Sequence, residues 1–219
     1  MDMNETGTQP ATFPTGRALR INDLAPDFVA RTTQGDVRLS QFRGQWVVLF
    51  SHPADFTPVC TSEFVALARH AGEFQALNCA LLGLSVDSLF SHLAWLADIH
   101  RNFGVQVSFP VIEDPSMAIA RAYGMLDEAS PDSATVRATF VIDPEGVVRA
   151  ISWYPMSVGR SVDELLRLVQ ALQVSDEAKA LTPAGWKPGD ALLSLTPLTL
   201  DQALEREGQS PWYYQEKKE

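Results

Sequence analysis

The sequence contains little cysteine and no long apolar run. Cys60 and Cys79 are its only two cysteines among 219 residues, and they do not form a Cys-x-x-Cys pair. Two such thiols argue against a secreted disulfide framework, a multi-cysteine zinc site or a dithiol centre, and favour a reducing intracellular setting. No stretch approaches the roughly 18 apolar residues that span a bilayer, and the first residues do not resemble a signal peptide. We therefore expect a cytoplasmic protein that does not bind or cross membranes.

Positive charge is also scarce. The chain carries 17 Lys and Arg residues against 27 Asp and Glu, for a net charge of −10. Nucleic acids and anionic lipids are bound chiefly by clustered Lys and Arg, so neither is an expected partner. The histidines His70, His92 and His100 show no metal-ligand spacing with acidic or cysteine residues. The sequence thus implies no metal and no other cofactor.

Apolar residues follow an alternating strand and helix pattern. The run 46–50 is typical of a buried strand, and apolar residues recur every three or four positions over 64–74, which predicts a helix. The same order repeats with a strand at 79–86 and a helix at 88–102. Such a βαβ unit predicts two parallel strands joined by a right-handed crossover.

The second half of the chain predicts a closing hairpin. A short strand at 109–112 and a short helix at 116–123 with Gly124 as its C-cap come first. Strands at 138–142 and 147–153 then flank a turn at 143–146, and Ser161 with Glu164 opens a helix over 161–174 as a capping box. A central mixed β-sheet flanked by helices fits a thioredoxin-like α/β fold, although the pattern alone also allows other α/β sheets.

We expect three regions along the chain. Residues 1–18 lack apolar periodicity and predict a flexible N-terminal arm. Residues 19–174 form the predicted thioredoxin-like domain. Residues 175–219 predict an extended C-terminal arm, because the Pro- and Gly-rich stretch 182–190 disfavours regular structure. The leucines of this arm predict packing on a partner subunit, since a monomer would leave them in water.

Cys60 follows the strand at 46–50 and falls in the first turn of the next helix. There the helix dipole and unpaired backbone N–H groups favour the thiolate, which is the nucleophilic form. Thr57 can place a hydroxyl near the sulfur, while Pro53 stiffens the loop and removes a competing donor. Position alone leaves open the ordinary alternative of a small apolar side chain packed in the core.

The segment around Cys60 resembles the active-site signature of the peroxiredoxins. That signature reads Pro-x-x-x-Thr-x-x-Cys, here Pro53, Thr57 and Cys60, and residues 50–63 are similar to the one-cysteine subgroup in nearly every position. Further similar segments follow in the same order at 84–88, 92–95, 109–112, 136–143, 154–155 with 159–160, and 186–190. The resemblance covers the chain from about Leu24 to Asp190.

This resemblance implies a thioredoxin fold and a thiol peroxidase that reduces hydrogen peroxide and organic hydroperoxides, with a role in redox homeostasis. It implies that the Cys60 thiolate attacks the peroxide and becomes a sulfenic acid, with Thr57, Pro53 and Arg137 completing the catalytic site. Judged from the residues alone, Arg137 is an ordinary surface arginine before a strand. Arg160 is implied as a second guanidinium behind the site.

Two further side chains near Cys60 have two interpretations each. Glu63, placed in the first turn of the predicted helix, either pairs with one of these arginines or only compensates the dipole of the helix. His52 either tunes the cysteine and donates a proton to the leaving oxygen, or is a satisfied histidine at the end of a strand.

The resolving cysteine of two-cysteine relatives is missing. Those relatives carry it in a Cys-Pro-Ala segment, and residues 181–184 read Leu-Thr-Pro-Ala here. Cys79 begins an apolar strand, which predicts burial rather than a disulfide with Cys60. We therefore expect an external reductant, either a thioredoxin-like protein, glutathione or a small thiol. The resemblance also predicts a homodimer or a higher homo-oligomer.

Two other functions remain open from the sequence. A peroxide-sensing or holdase-like redox switch would begin with the same sulfenic acid at Cys60. A thioredoxin-type thiol-disulfide oxidoreductase would lack the second cysteine of its active site.

Overall fold

The computed structural model describes residues 18–126, 133–206 and 211–217. The chain forms two compact units, one up to Arg160 and the other from Ser161. The predicted N-terminal arm over 1–18 lies, except for its last residue, outside the described residues. The proposed limits of the domain at 19–174 and of the C-terminal arm at 175–219 stay predictions.

Seven strands and three α-helices make up the described part of the first unit. In chain order they are β1 (Val29–Thr32), β2 (Gly35–Arg38), β3 (Trp46–Ser51), α1 (Pro58–Ala76), β4 (Cys79–Ser85), α2 (Leu89–Phe103), β5 (Val111–Glu113), α3 (Ala118–Ala122), β6 (Arg137–Ile142) and β7 (Val148–Tyr154). A short 3-10 helix, Leu39–Phe42, follows β2. The described part of the second unit contains α4 (Val162–Ala178) and α5 (Leu200–Leu204).

The strands form one sheet in the order β2-β1-β5-β4-β3-β6-β7. Strand β4 pairs in parallel with β3 and with β5, while the remaining pairs are antiparallel. The mixed sheet, the βαβ unit and the β6–β7 hairpin are therefore confirmed. In addition, the structure contains the β1–β2 hairpin, which the sequence pattern did not predict because each strand has only four residues and exposed positions interrupt its apolar ones.

Strand β3 is buried along its whole length, as expected for a central strand covered on both faces. Val47 and Leu49 belong to one core cluster, and successive side chains of a strand point to opposite faces. Phe50, on the other face, meets Phe64 of α1 edge to face with ring centroids 5.7 Å apart. Helix α1 thus packs over the end of β3 from which the next loop departs.

Gly83 of β4 allows this close packing. A Cβ atom at this position would lie 3.3 Å from the rings of both Phe50 and Phe64, which is closer than most side chains tolerate. The missing side chain therefore sets how near α1 approaches the sheet.

Two helix ends differ from the sequence pattern. Helix α4 runs to Ala178, four residues beyond the predicted end. Ser161 caps it as predicted, with its hydroxyl 3.2 Å from the backbone nitrogen of Glu164, but the Glu164 carboxylate binds Arg167 rather than reaching back to the cap. Helix α3 ends at Ala122, so Gly124, with a φ of 67°, lies in the turn beyond it. Among the described helices, none is long and apolar enough to cross a membrane.

Candidate active site

Cys60 is the third residue of α1, directly after the loop that leaves β3. The helix begins at Pro58, and Thr57 is its N-cap with an extended backbone. Proline suits this first position because its φ is preset and no amide hydrogen is needed there. The first turn also leaves backbone N–H groups without helical partners and carries the positive end of the helix dipole. The predicted position of Cys60 in the first turn is confirmed.

Arg137 lies against the sulfur of Cys60. Its Nη1 atom is 3.3 Å from Sγ, while its Nε and Nη2 atoms donate to the carbonyl oxygen of Met156 at 3.0 and 2.7 Å. Arg137 is only 2% exposed, so the alternative of a surface arginine is wrong. The reason is that β6 is an interior strand, and a buried guanidinium has to be hydrogen-bonded. These bonds fix a positive charge beside the sulfur.

Glu63 joins two arginines. Its Oε2 atom accepts hydrogen bonds from Arg137 Nη1 and Arg160 Nη2, and its Oε1 atom accepts from the backbone nitrogen and Nε of Arg160, all at 2.8 Å. Burial alone would raise the pKa of Glu63, but the hydrogen bonds and charge of Arg160, followed by the charge of Arg137, outweigh it and hold this pKa below its usual 4.5. Of the two interpretations of Glu63, the arginine pairing is the observed one.

The position of Glu63 in the helix also differs from the sequence expectation. Because α1 begins at Pro58, Glu63 is its sixth residue and lies in the second turn, not the first. An uncompensated dipole is concentrated in the first turn, so dipole compensation is not the main role of this carboxylate.

The Arg160 guanidinium has further partners besides Glu63. Its Nη1 atom donates to the carbonyl oxygen of Ala138 at 2.9 Å and to Thr139 Oγ1 at 3.2 Å. Its guanidinium also lies 5.2 Å from the ring centroid of Phe50. All three guanidinium nitrogens are therefore bonded, and Arg160 fixes Glu63, which in turn fixes Arg137.

The loop before Cys60 presents a hydroxyl oxygen and a proline. Thr57 makes no side-chain cap bond, and its hydroxyl instead donates to the carbonyl oxygen of Ala54 at 2.8 Å. Since that proton is committed, Thr57 acts toward a further ligand as an acceptor. Pro53 is buried and offers no N–H donor. Phe56 adopts a left-handed φ of 57°, an uncommon conformation for a bulky residue that is often found at functional loops.

His52 belongs to a buried trio that sequence reasoning missed. Its Nε2 atom lies 2.9 Å from Asp55 Oδ1, and His92 Nδ1 lies 2.8 Å from Asp55 Oδ2. Burial is the main reason that the pKa of His52 falls below its usual 6.5. The sequence shows no ligand spacing between His92 and an acidic residue, but the fold brings Asp55 to His92 from 37 residues earlier in the chain. No local spacing in the sequence marks this contact.

The same trio is a group that could hold a metal ion. One ligand atom from each of His52, Asp55 and His92 lies within 4.8 Å of the others. The facing atoms are also at hydrogen-bond distance, so hydrogen bonds account for the same arrangement without a metal ion. The sequence-based expectation of no metal stays a prediction.

Cys79 lies at the opposite end of the sheet from Cys60. It pairs with Trp46 at the start of β3, whereas the loop to Cys60 leaves β3 after Ser51. The five residue steps from Trp46 to Ser51 span roughly 17 Å. A disulfide requires Cα atoms within about 7 Å. Both cysteines are free and buried, which confirms the predicted burial of Cys79 and excludes a bond between the two thiols in this conformation.

Family models match both parts of the chain. Residues 21–151 match the AhpC/TSA family, and residues 171–208 match the C-terminal domain of 1-Cys peroxiredoxin. The first match covers more than half of the chain and includes the loop with Pro53, Thr57 and Cys60 as well as Arg137.

Individual relatives and solved structures agree. Peroxiredoxin 2 of Thermoplasma acidophilum is 48% identical over 88% of this chain and 98% of its own length, and a peroxiredoxin of Aquifex aeolicus is 47% identical over 91% and 96%. A yeast mitochondrial 1-Cys peroxiredoxin structure, described for its thiol-resolving mechanism via glutathione and thioredoxin systems, has a TM-score of 0.81 at 39% identity, with 91% of this chain and all 100% of that chain covered. A cysteine-to-serine mutant of peroxiredoxin 6 of Arenicola marina has a TM-score of 0.79 at 32% identity, covering 86% and 89%. The thioredoxin-like fold is thereby confirmed, and the chain belongs to the AhpC/TSA family, among its one-cysteine peroxiredoxins.

Proposed function

We propose that Cys60, Arg137, Thr57 and Pro53 carry out the reaction of this thiol peroxidase, which reduces hydrogen peroxide and organic hydroperoxides to water or alcohols. The observation that carries the proposal is the 3.3 Å contact between Arg137 Nη1 and Cys60 Sγ at the N-terminus of α1. A fixed cation and a helix N-terminus meet at one sulfur, three residues after the hydroxyl acceptor of Thr57, and peroxide attack uses these groups.

The first step is a nucleophilic displacement at oxygen. The Cys60 thiolate donates an electron pair to the nearer peroxide oxygen, and an S–O bond forms as the O–O bond breaks. The leaving oxygen takes the bonding pair and becomes water or an alcohol after it gains a proton. Negative charge moves from sulfur to that oxygen, and the guanidinium of Arg137 stabilises it at both ends of this movement. Thr57 accepts the peroxide O–H and holds the molecule in line, while Pro53 removes a competing donor.

Glu63 and Arg160 have a supporting role in this proposal. Glu63 uses one carboxylate oxygen to bind Arg137 Nη1, the same nitrogen that faces the sulfur. Arg160 holds that carboxylate through three hydrogen bonds. The direction of the Arg137 N–H groups is therefore set before peroxide arrives, so no reorganisation is needed during the reaction.

An external thiol reductant resets the enzyme. The thiol attacks the Cys60 sulfenic acid, water leaves and a mixed disulfide forms, and a second thiol then releases reduced Cys60. Cys60 is 0% exposed, so a bulky reductant reaches the sulfur only after the first turn of α1 opens. We propose a thioredoxin-like protein, glutathione or a small thiol as the reductant, in a cytoplasm that the two unpaired cysteines suit.

We also propose that the chain acts as a homodimer or a higher homo-oligomer. The second unit carries large apolar side chains in water, with Leu198 at 91% and Leu200 at 73% exposure and Trp212 also exposed. Such a surface is uncommon on a monomer and is typical of one that packs on another subunit. Sedimentation at micromolar concentration tests this: a dimer or larger species supports the proposal, and a monomer contradicts it.

Rapid-mixing kinetics test the reaction itself. We expect reduced wild-type protein and Cys79→Ser to react with hydrogen peroxide at the same second-order rate, and Cys60→Ser not to react. Steady turnover with a thiol reductant distinguishes the peroxidase from a redox switch, which would be oxidised once and then stop. Loss of the reaction in Cys79→Ser, with retention in Cys60→Ser, would contradict the proposal.

A further inference from the structure

The trio of His52, Asp55 and His92 lies fully inside the protein beside the active-site loop. His52 and His92 are each 0% exposed, and Asp55 is 7% exposed. His52 is the first residue after β3, Asp55 lies midway between Pro53 and Thr57 in the loop that follows, and His92 belongs to α2. Three ionisable groups in such a place have defined proton positions, because each unmatched polar atom is costly there.

The neighbours of His92 fix its two protons. Its Nδ1 atom faces the Asp55 carboxylate at 2.8 Å, and its Nε2 atom faces the carbonyl oxygen of Ile112 at 3.2 Å. A carbonyl oxygen only accepts, and so does an ionised carboxylate. Both nitrogens of His92 must then donate, which makes this side chain an imidazolium paired with Asp55.

The same carboxylate fixes the proton of His52. Burial alone would raise the pKa of Asp55, but the hydrogen bonds from His52 and His92 outweigh it and hold this pKa well below its usual range. The ionised Asp55 Oδ1 therefore accepts from His52 Nε2, 2.9 Å away. Burial lowers the pKa of His52, so the ring stays neutral with its proton on Nε2. Its Nδ1 atom is then a bare acceptor, and it is the one buried side-chain nitrogen or oxygen of the described residues without a hydrogen-bond partner.

Two further carboxylates, Asp87 and Glu113, lie near the trio. Asp87 accepts from the backbone nitrogen of Asp55 at 3.0 Å and from the Ser85 hydroxyl at 2.7 Å. Glu113, on β5, accepts from the backbone nitrogen of Leu89 and forms an ion pair with Arg31. Asp87 raises the pKa of His52, but burial outweighs this effect, while Glu113 interacts with the charge of His92 and has its own positive partner in Arg31.

The trio also anchors the loop that carries the reacting groups. The backbone of His52 donates to the carbonyl oxygen of Leu84 at 2.9 Å and accepts from the Thr135 hydroxyl at 2.7 Å. The His52 ring packs on Trp95 of α2, with centroids 5.2 Å apart. Asp55 connects the middle of the loop to α2 through its contact with His92. This contact lies three residues before Pro58, where the helix that carries Cys60 begins.

We propose that His92 is a positioning residue of the peroxidase: its imidazolium holds Asp55, which fixes the loop bearing Pro53 and Thr57 and keeps His52 as the Nε2–H tautomer with a free Nδ1 lone pair. The inference deepens the proposed function and rests on it for its effect on rate. A divalent cation is the competing occupant of the trio. Protons fit better, because the nitrogen–oxygen distances of 2.8 and 2.9 Å are those of direct hydrogen bonds and a metal would have to displace both protons.

Two substitutions of His92 separate the two contacts of its ring. Asn places its amide nitrogen near the position of Nδ1, so His92→Asn keeps a donor to Asp55, whereas Gln reaches the position of Nε2, so His92→Gln keeps only the donor to Ile112. We expect His92→Gln to slow Cys60 oxidation by about 10- to 100-fold, the range typical of misplaced reacting groups, and His92→Asn to recover most of the rate. His100→Gln, on the exposed side of the same helix, is the matched control and leaves the rate unchanged.

Imidazole nitrogen NMR of the wild-type protein tests the proton positions without any activity measurement. At neutral pH we expect both nitrogens of His92 to be protonated and only Nε2 of His52 to be protonated. A neutral His92, a proton on His52 Nδ1, or a stoichiometric divalent metal in the purified protein would overturn the inference, and so would equal rates for His92→Asn and His92→Gln. If wild-type Cys60 does not react with peroxide at all, the proposed function fails and the positioning role fails with it, while the spectra still decide the proton assignment. If His92→Gln does not fold, the spectra and the rate of His92→Asn decide the inference.

Discussion

The Nη1 nitrogen of Arg137 lies 3.3 Å from the sulfur of Cys60, although the two residues are 77 positions apart in the chain. The same nitrogen lies 2.8 Å from Glu63 Oε2, so one N–H group faces the sulfur while the other is held by a carboxylate. This sharing makes the charge beside Cys60 both permanent and directed. The first two predictions follow from it.

Replacing Arg137 with lysine keeps the charge but loses the planar set of donors. A lysine ammonium cannot bond Met156, Glu63 and the sulfur in the observed directions at once, so we expect Arg137→Lys to slow peroxide reduction by about 100-fold or more. Stopped-flow oxidation of reduced protein measures this rate. Arg101→Lys, at an exposed site on α2, is the control and keeps the wild-type rate. An unchanged rate in Arg137→Lys would show that charge alone is sufficient.

Removing the charge of Glu63 leaves two arginines buried without their carboxylate. Breaking a buried ion pair on one side costs about 3–5 kcal/mol, so Glu63→Gln is expected to lower the free energy of unfolding by that amount and to slow the peroxide reaction. Urea denaturation and stopped-flow kinetics check the two effects. Glu73→Gln, on the exposed side of α1, provides the comparison and should change stability by less than about 0.5 kcal/mol. A near-neutral effect of Glu63→Gln would mean that the arginines are stabilised mainly by backbone carbonyls.

Acid should destabilise the protein in two stages. His52 has a pKa below its usual 6.5, so the unfolded state binds this proton first and stability falls as the pH drops below that value. Glu63 and Asp55 have pKa values lowered from 4.5 and 3.8, so their contribution is present above these values and is lost as the pH falls through the folded pKa values. Urea unfolding from about pH 7 down to about pH 2 measures both stages. Glu63→Gln should flatten only the second stage; a stability that rises as the pH falls below 6.5 would contradict the sign.

Packing under the site predicts opposite effects for two glycines. A Cβ at Gly83 meets the rings of Phe50 and Phe64 at 3.3 Å, so Gly83→Ala should overpack the α1–sheet contact and cost about 1–3 kcal/mol. Gly72, in the exposed part of α1, has nothing within 4 Å of its added Cβ, so Gly72→Ala should stabilise the helix by about 0.5–1 kcal/mol. Thermal unfolding compares the two variants, and equal shifts would show that the aromatic rings yield freely.

The thiol of Cys79 should be inert in the folded protein. Burial raises its pKa to about 12, so almost no thiolate exists at about pH 8. We expect iodoacetamide to label Cys79 only after unfolding in urea, as followed by peptide mass spectrometry. Labelling of Cys79 at equal speed with and without urea would contradict the burial of this side chain.

Local sequence signals were sufficient where the chemistry is local. The apolar run of β3, the placement of Cys60 near a helix start and the cap Ser161 could all be read from neighbouring residues, and the resemblance supplied Arg137 and Arg160. Contacts between side chains that are far apart in the chain could not be predicted from local signals. Glu63 meets Arg160 from 97 positions away and Asp55 meets His92 from 37, and no spacing rule records such contacts.

Short or interrupted patterns were the other source of error. Strands β1 and β2 have four residues each with exposed positions between buried ones, which is too little signal to distinguish a hairpin from a loop. The predicted end at 174 lies four residues before the observed end of α4, because the last turns of this helix are partly exposed and carry little apolar periodicity.

Intact and peptide mass spectrometry after one equivalent of peroxide, in the presence of a sulfenic-acid trap, identifies which of the two thiols peroxide oxidises. We expect one trap adduct per chain, located on Cys60, with Cys79 still a free thiol. An adduct on Cys79, or a wild-type protein that keeps both thiols reduced, would contradict it.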